Sequence, residues 1–128
     1  MKVLVIDNEP NLRTAIKALL QAFCPEIKTI EEADGVKSGL QKIKAFQPDI
    51  VLLDVEMDDG SGFDLMKQVV NPGFQLIFVT AHNKYAIEAF QFSAIDYLLK
   101  PVDPDALQIS IQKAAVNMRN SNLQQQVQ

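Results

Sequence analysis

Ile50-Val51-Leu52-Leu53-Asp54-Val55-Glu56-Met57 decides how this chain reads: four apolar residues in a row that run directly into a carboxylate. A short run of Ile, Val and Leu is the mark of a strand buried on both faces, as in a parallel sheet, and not of an alternating half-exposed strand. Moving outward, the same form recurs three times. Val3-Leu4-Val5-Ile6 runs into Asp7, Leu76-Ile77-Phe78-Val79 into Thr80, and Tyr97-Leu98-Leu99 into Lys100-Pro101. In an open parallel sheet the ligand site lies beyond the carboxyl ends of the strands, so these four termini can converge. Two carboxylates, a hydroxyl and an ammonium at one edge suit a divalent cation and a phosphoryl group.

Helical periodicities lie between the runs. Leu12, Ala15, Ile16, Leu19, Leu20 and Phe23 after Pro10 give an apolar face that packs on the sheet. Ile27 to Ile30 is a weaker strand candidate near a sheet edge. Val36, Leu40 and Ile43 mark a second helix, and Met66, Val69 and Val70 a third. Ala86, Ala89 and Phe90 mark a short fourth. Asp103-Pro104 opens a fifth, a capping residue followed by proline at the first helical position, with Leu107, Ile111, Ala114, Ala115 and Met118 on its apolar face. Five repeats of strand then helix predict a doubly wound α/β domain with right-handed crossovers and helices on both faces.

The 128 residues suit one domain with a single well-buried core, and 48% apolar with 22% charged residues is ordinary for a globular chain. A net charge of −4 argues against a nucleic-acid surface, which needs a basic patch. Cys24 is the single cysteine, which excludes an internal disulfide and predicts a small buried or half-buried thiol rather than a reactive one. No apolar stretch approaches the roughly 18 residues of a membrane span. The opening strand lacks a signal-peptide pattern, so the expected location is cytoplasmic. The chain turns polar near its end, and 119–128 is expected to be a polar tail, a frayed helix end or a linker, with Leu123 and Val127 as its apolar anchors.

Mg²⁺ prefers oxygen ligands and takes one or two carboxylates from a protein. Asp7 and Asp54 can supply them, and a bound cation offsets the repulsion between two close acids. Asp54 can then act as a nucleophile toward phosphorus. Lys100 would add positive charge, and Thr80 a hydrogen bond to a phosphoryl oxygen. Each residue alone has a plainer role. A strand-end Asp is commonly a cap or turn former, Glu9 reads as an exposed first-turn acid, Gly60 and Gly62 as tight-turn residues, and His82 as a lone loop histidine without metal partners. The conjunction of four strand ends is what carries the reading.

Val5-Ile6-Asp7-Asn8-Glu9-Pro10, Leu52-Leu53-Asp54-Val55-Glu56-Met57, Phe78-Val79-Thr80-Ala81 and Asp96-Tyr97-Leu98-Leu99-Lys100-Pro101 strongly resemble the receiver domain of two-component response regulators, over about Lys2 to Met118. Tyr85 to Phe90, taken with Asp96 to Pro101, looks more narrowly like receivers that precede a LytTR-type DNA-binding domain. The resemblance implies a flavodoxin-like five-stranded sheet in the order 2-1-3-4-5 with five helices, a receiver over 1–118, and a tail that either leads toward a C-terminal output domain or ends a free-standing receiver. It implies a phosphorylation-operated switch, with Asp54 accepting a phosphoryl group from a sensor histidine kinase. Mg²⁺ would be held by Asp7, Asp54 and the backbone carbonyl of Glu56. Thr80 and Lys100 would reposition onto the aspartyl phosphate, and Tyr97 would be the aromatic switch behind Thr80. A cis bond before Pro101 would aim the lysine. Glu56 and His82 fall at the variable positions that tune dephosphorylation in the family.

Two departures from the family pattern stand out. Asn8 replaces the usual second acid; its amide oxygen can still ligate Mg²⁺, with one negative charge fewer. Asp58 stands where many receivers have proline. Two rival functions are an interaction module that works without phosphorylation, favoured by Asn8, and an aspartyl-nucleophile phosphohydrolase, disfavoured because Glu56 fits its second acid poorly and no residues remain for a cap domain. Tyr85, Ile87 and Phe92 read as exposed apolar groups, and with the resemblance they predict a homodimer through helix 4, strand 5 and helix 5 on phosphorylation. No direct nucleic-acid contact and no catalysis beyond the domain's own phosphoryl transfer and dephosphorylation are expected.

Overall fold

The computed structural model describes residues 1–127, with side-chain surroundings through Ser121. In chain order the elements are β1 (Lys2–Ile6), α1 (Pro10–Phe23), β2 (Thr29–Ala33), α2 (Val36–Phe46), β3 (Ile50–Leu53), β4 (Glu56–Met57), β5 (Gly60–Ser61), α3 (Gly62–Lys67), β6 (Gln75–Thr80), α4 (Ala86–Phe90), β7 (Asp96–Leu99) and α5 (Pro104–Val127). Five strands form one sheet in the order β2-β1-β3-β6-β7, with every neighbouring pair parallel. This is the expected 2-1-3-4-5 order, β6 and β7 being the fourth and fifth strands of the main sheet. The two-residue strands β4 and β5 pair antiparallel as a separate hairpin beside it.

The apolar runs are continuous because each strand is covered on both faces. Leu4, Ile6, Val51, Leu53, Leu76 and Phe78 point to one side, against Val36 of α2 and Phe63 and Leu65 of α3. Val3, Val5, Ile50, Leu52, Ile77 and Val79 point to the other, against Ile16 and Leu20 of α1 and Leu107 and Ile111 of α5. Alternate side chains of one strand therefore feed two cores. Each fully buried Leu, Ile or Phe contributes about 1.5–3 kcal/mol of burial. Cys24 is buried with the second set, as expected.

The boundaries depart from expectation in four places. β2 begins at Thr29, because Ile27 closes a turn onto the Cys24 carbonyl at 3.0 Å and Lys2 pairs with Thr29. α3 ends at Lys67, so Val69 lies beyond it and Val70 is 84% exposed rather than part of a helical apolar face. A 3₁₀ turn, Asn83–Tyr85, precedes α4. Tyr85 and Phe92 are half-buried against Phe63, with ring centroids 5.9 and 5.5 Å away, so of the apolar groups expected at that surface Ile87 remains outward and Phe90 joins it. α5 continues as helix through Val127 across most of the expected tail, and among the described side chains Met118 is the last one packed on the core. Gln128 and the side chains of Leu123 and Val127 lie outside the described residues.

Candidate phosphoryl and cation site

The register of the sheet places the site. Asp7 follows β1, and its N–H donates to the Ala33 carbonyl of β2 at 3.0 Å. Asp54 follows β3, and its N–H donates to the Ile6 carbonyl of β1 at 3.0 Å. Lys100 follows β7, and its N–H donates to the Thr80 carbonyl of β6 at 2.9 Å. Ladder hydrogen bonds thus set all four strand-end residues at one edge, as the sequence predicts. Asp7, Asp54 and Thr80 are buried there.

The Lys100 Nζ lies 2.9 Å from Asp7 Oδ2, 3.1 Å from Asp54 Oδ2 and 3.4 Å from Glu9 Oε1. Asp7 Oδ1 accepts from the Glu9 N–H at 2.9 Å, which fixes the turn into α1. Burial, and next the charge of Asp7, push the Asp54 carboxyl up from 3.8 to about 6, although Lys100 and the Glu56 N–H favour its ionised form. For Lys100 burial works against the charge, yet the hydrogen bond to Asp7 and the charges of Asp54 and Asp7 prevail and raise its pKa. The acids outnumber the cation.

Asp7, Glu9 and Asp54 each offer an oxygen within 4.8 Å of the others. Hard oxygen donors with excess negative charge fit a small divalent cation such as Mg²⁺. Glu9 is exposed, as the sequence predicts, at the residue just before α1, and the fold also draws it toward Lys100, a contact that no local signal marks. Asn8 is half-buried beside them, its Nδ2 donating to Asp58 Oδ1 at 3.3 Å.

Gly62 serves the site by close approach rather than as a turn. A Cβ there would stand 2.4 Å from the Asp54 backbone carbonyl oxygen, so any larger residue displaces the acceptor's own backbone. Gly60 carries the turn, with φ +142°.

The remaining expected residues lie around the mouth. The exposed Glu56 carboxylate accepts from the Tyr85 hydroxyl at 2.5 Å, and its other oxygen lies 3.1 Å from His82 Nε2. The hydrogen bond from Tyr85 is the largest cause holding Glu56 below the usual carboxylate range. His82 is therefore not a lone histidine: the fold brings it to an acid 26 residues upstream, a pairing that spacing does not show. Tyr97 is half-buried, and its hydroxyl donates to the His82 carbonyl. Thr80 Oγ1 accepts from the His82 N–H at 3.4 Å. The Lys100–Pro101 peptide is cis.

The family model for the response regulator receiver domain matches residues 3–112. The sensory transduction protein LytT of Bacillus cereus is 38% identical over 116 residues, covering 88% of this chain and 46% of that protein. The sensory transduction protein LytR of Staphylococcus haemolyticus is 35% identical over 125 residues, covering 95% of this chain and 48% of that protein. The chain thus spans about half the length of the curated relatives it matches. In fold it is similar to the CheY-like response regulator receiver domain protein of Methanospirillum hungatei, with a TM-score of 0.83 and 23% identity over 94% of this chain and 97% of that one. The response regulatory domain of protein mrkE from Klebsiella pneumoniae aligns with a TM-score of 0.82 and 23% identity, over 94% of this chain and 99% of the other. The strand-end tetrad, the sheet order and the match across residues 3–112 agree: this chain belongs to the response regulator receiver domain family, with LytT- and LytR-type response regulators among its relatives.

Proposed function

We propose that this domain is a phosphorylation-operated switch that accepts a phosphoryl group on Asp54 from the phosphohistidine of a sensor histidine kinase. An ionised Asp54 oxygen attacks phosphorus, the P–N bond breaks, and its electron pair returns to the imidazole nitrogen. With a pKa of about 6, Asp54 is largely ionised at neutral pH. Asp7, Asp54, the Glu56 backbone carbonyl and the Asn8 amide oxygen would hold Mg²⁺, with Glu9 beside them, and the ion supplies positive charge to the phosphoryl oxygens. Lys100 already lies within 3.1 Å of Asp54 and offsets the remaining charge. The Thr80 hydroxyl donates to a phosphoryl oxygen, and Tyr97 follows the Thr80 loop, releasing the His82 carbonyl.

The observation that carries this reading is the buried Asp54, short of positive charge, at the end of the central strand β3. Mg²⁺ with acetyl phosphate or beryllofluoride should add one group per chain at Asp54. Asp54→Asn should keep the fold and take none. Normal labelling of that variant would refute the assignment, and no labelling of the wild type would leave an interaction module.

Residues 1–118 form the receiver in this reading, and 119–128 lead toward an output domain that regulates transcription. We place the domain in the cytoplasm; among the described residues no helix is long and apolar enough to cross a membrane. The exposed Ile87, Phe90 and Leu99 support a phosphorylation-promoted homodimer through α4, β7 and α5. Sedimentation with and without beryllofluoride tests it, and the same monomer distribution in both states would exclude it.

A further inference from the structure

We infer that Asp59, outside the strand-end tetrad, is a positioning residue for the phosphoacceptor site, acting by clamping the β4–β5 hairpin to the N-terminus of α2; this rests on the switch reading above. The first turn of a helix leaves N–H groups without partners, and they are usually met by the side chain of the residue just before it. In α2 that residue is Gly35, which has no side chain to offer. Asp59 meets the need from 23 residues away: its Oδ1 accepts from the Val36 N–H at 2.8 Å and its Oδ2 from the Lys37 N–H at 3.1 Å. Those two bonds, Val36 first, hold its carboxyl below the usual range. Gly35 also leaves the room, since a Cβ there would stand 2.6 Å from Asp59 Oδ1.

The hairpin so held touches the site at three points. Its Glu56 N–H lies toward the Asp54 carboxylate and favours the ionised form. Asp58 accepts from the Asn8 amide. The Glu56 side chain takes the Tyr85 hydroxyl and faces His82. A two-residue ladder cannot hold its own shape in water, so its position depends on such anchors. Ser61 and Asp64 join its far strand to α3, and Met57 packs on the core; Asp59 adds the tie at its turn, to α2. Freed from α2, the hairpin would carry the Glu56 carbonyl and the Asn8–Asp58 pair away from the cation position. Partners one step behind the ligands commonly set metal affinity in this way.

The test uses four variants, each followed by Mg²⁺ titration, by labelling with acetyl phosphate and by thermal melting. Asp59→Ala should raise the Mg²⁺ concentration for half-maximal effect about three- to tenfold, with labelling approaching the wild-type level at saturating Mg²⁺. Asp59→Asn keeps one acceptor oxygen and should restore part of the affinity. Gly35→Ala pushes the carboxylate aside without removing it and should match Asp59→Ala, and the double variant should be no worse than either alone. Ser38→Ala is the structural control. Ser38 Oγ accepts from the Asp34 and Gly35 N–H groups at 3.1 Å without touching the hairpin, so its loss should lower the melting temperature and leave Mg²⁺ affinity unchanged. Unchanged Mg²⁺ affinity in Asp59→Ala, or an equal loss in Ser38→Ala, would overturn the positioning role. Failure of the wild type itself to label would instead overturn the acceptor assignment beneath it.

Discussion

Two groups of strand carboxylates in this molecule meet cations in opposite ways. On the edge strand β2, Glu31 takes the Lys42 ammonium at 2.7 Å, while Glu32 takes both Arg13 and Lys17 at 2.7 Å. There cations equal or outnumber acids, water is near, and the hydrogen bonds from Lys17 and then Arg13 hold Glu32 below the usual range. At the carboxyl edge of β1 and β3, Asp7, Asp54 and Glu9 share the ammonium of Lys100, and burial pushes Asp54 up to about 6. Exposed pairs contribute about 0–1 kcal/mol each, while a buried charge short of partners is a standing cost. The first arrangement covers a sheet edge that would otherwise invite another strand. The second keeps the acceptor reactive, at the expense of stability, until further positive charge arrives.

The sharpest contrast is chemical. Asp54→Asn is expected to abolish labelling by acetyl phosphate, whereas Glu32→Gln should label at the wild-type rate; equal losses in both would erase the distinction. Next in size is the cation itself. Lys100→Met leaves Asp7 and Asp54 facing each other and should destabilise the Mg²⁺-free protein by about 3 kcal/mol in urea denaturation. Lys42→Met on the edge strand should cost less than about 1 kcal/mol.

A pH series separates the two regions more finely. The folded pKa of Asp54 lies above its unfolded value, so the folded state binds the proton more tightly. Stability from this group is therefore present in acid and is lost as pH rises through about 6. In EDTA, the advantage of Asp54→Asn over wild type should grow by about 2 kcal/mol between about pH 4 and pH 7. For Glu32 the folded pKa is depressed, so Glu32→Gln should show the reverse trend, with its disadvantage appearing as pH rises. A flat difference for Asp54→Asn would mean that Asp54 is not short of positive charge.

The smallest expected effect concerns Asn8. Asn8→Asp adds a hard anionic ligand and should tighten Mg²⁺ binding several-fold, while placing a second carboxylate against Asp58, 3.3 Å from the present amide nitrogen. The Mg²⁺-free melting point should fall slightly. Unchanged affinity in a magnesium titration would show that residue 8 does not reach the cation.

Much of the site was legible in the chain because parallel strands deliver their last residues to one edge, so Asp7, Asp54, Thr80 and Lys100 needed no coordinates to be grouped. The helix-end errors have local causes. Val69 and Val70 continue an apolar spacing past the point where α3 stops at Lys67, and the apolar count around α4 does not reveal that Tyr85 and Phe92 turn inward onto Phe63. The contacts of Glu9 and His82 are hidden from the sequence for a related reason: their partners, Lys100 and Glu56, stand 91 and 26 residues away.

By itself the sequence determined the alternation of strand and helix, the burial of each strand on both faces and the four strand-end groups. These are properties of neighbouring side chains, and a period of two or of 3.6 residues writes them locally. Only the tertiary structure decided how one ammonium is divided among three carboxylates, which residues hold Glu56, and that Asp59 completes a helix whose preceding residue, Gly35, has no side chain to cap it. Such contacts depend on where two distant backbones come to rest and on which rotamers then reach across a gap of about 3 Å. No local period records that distance.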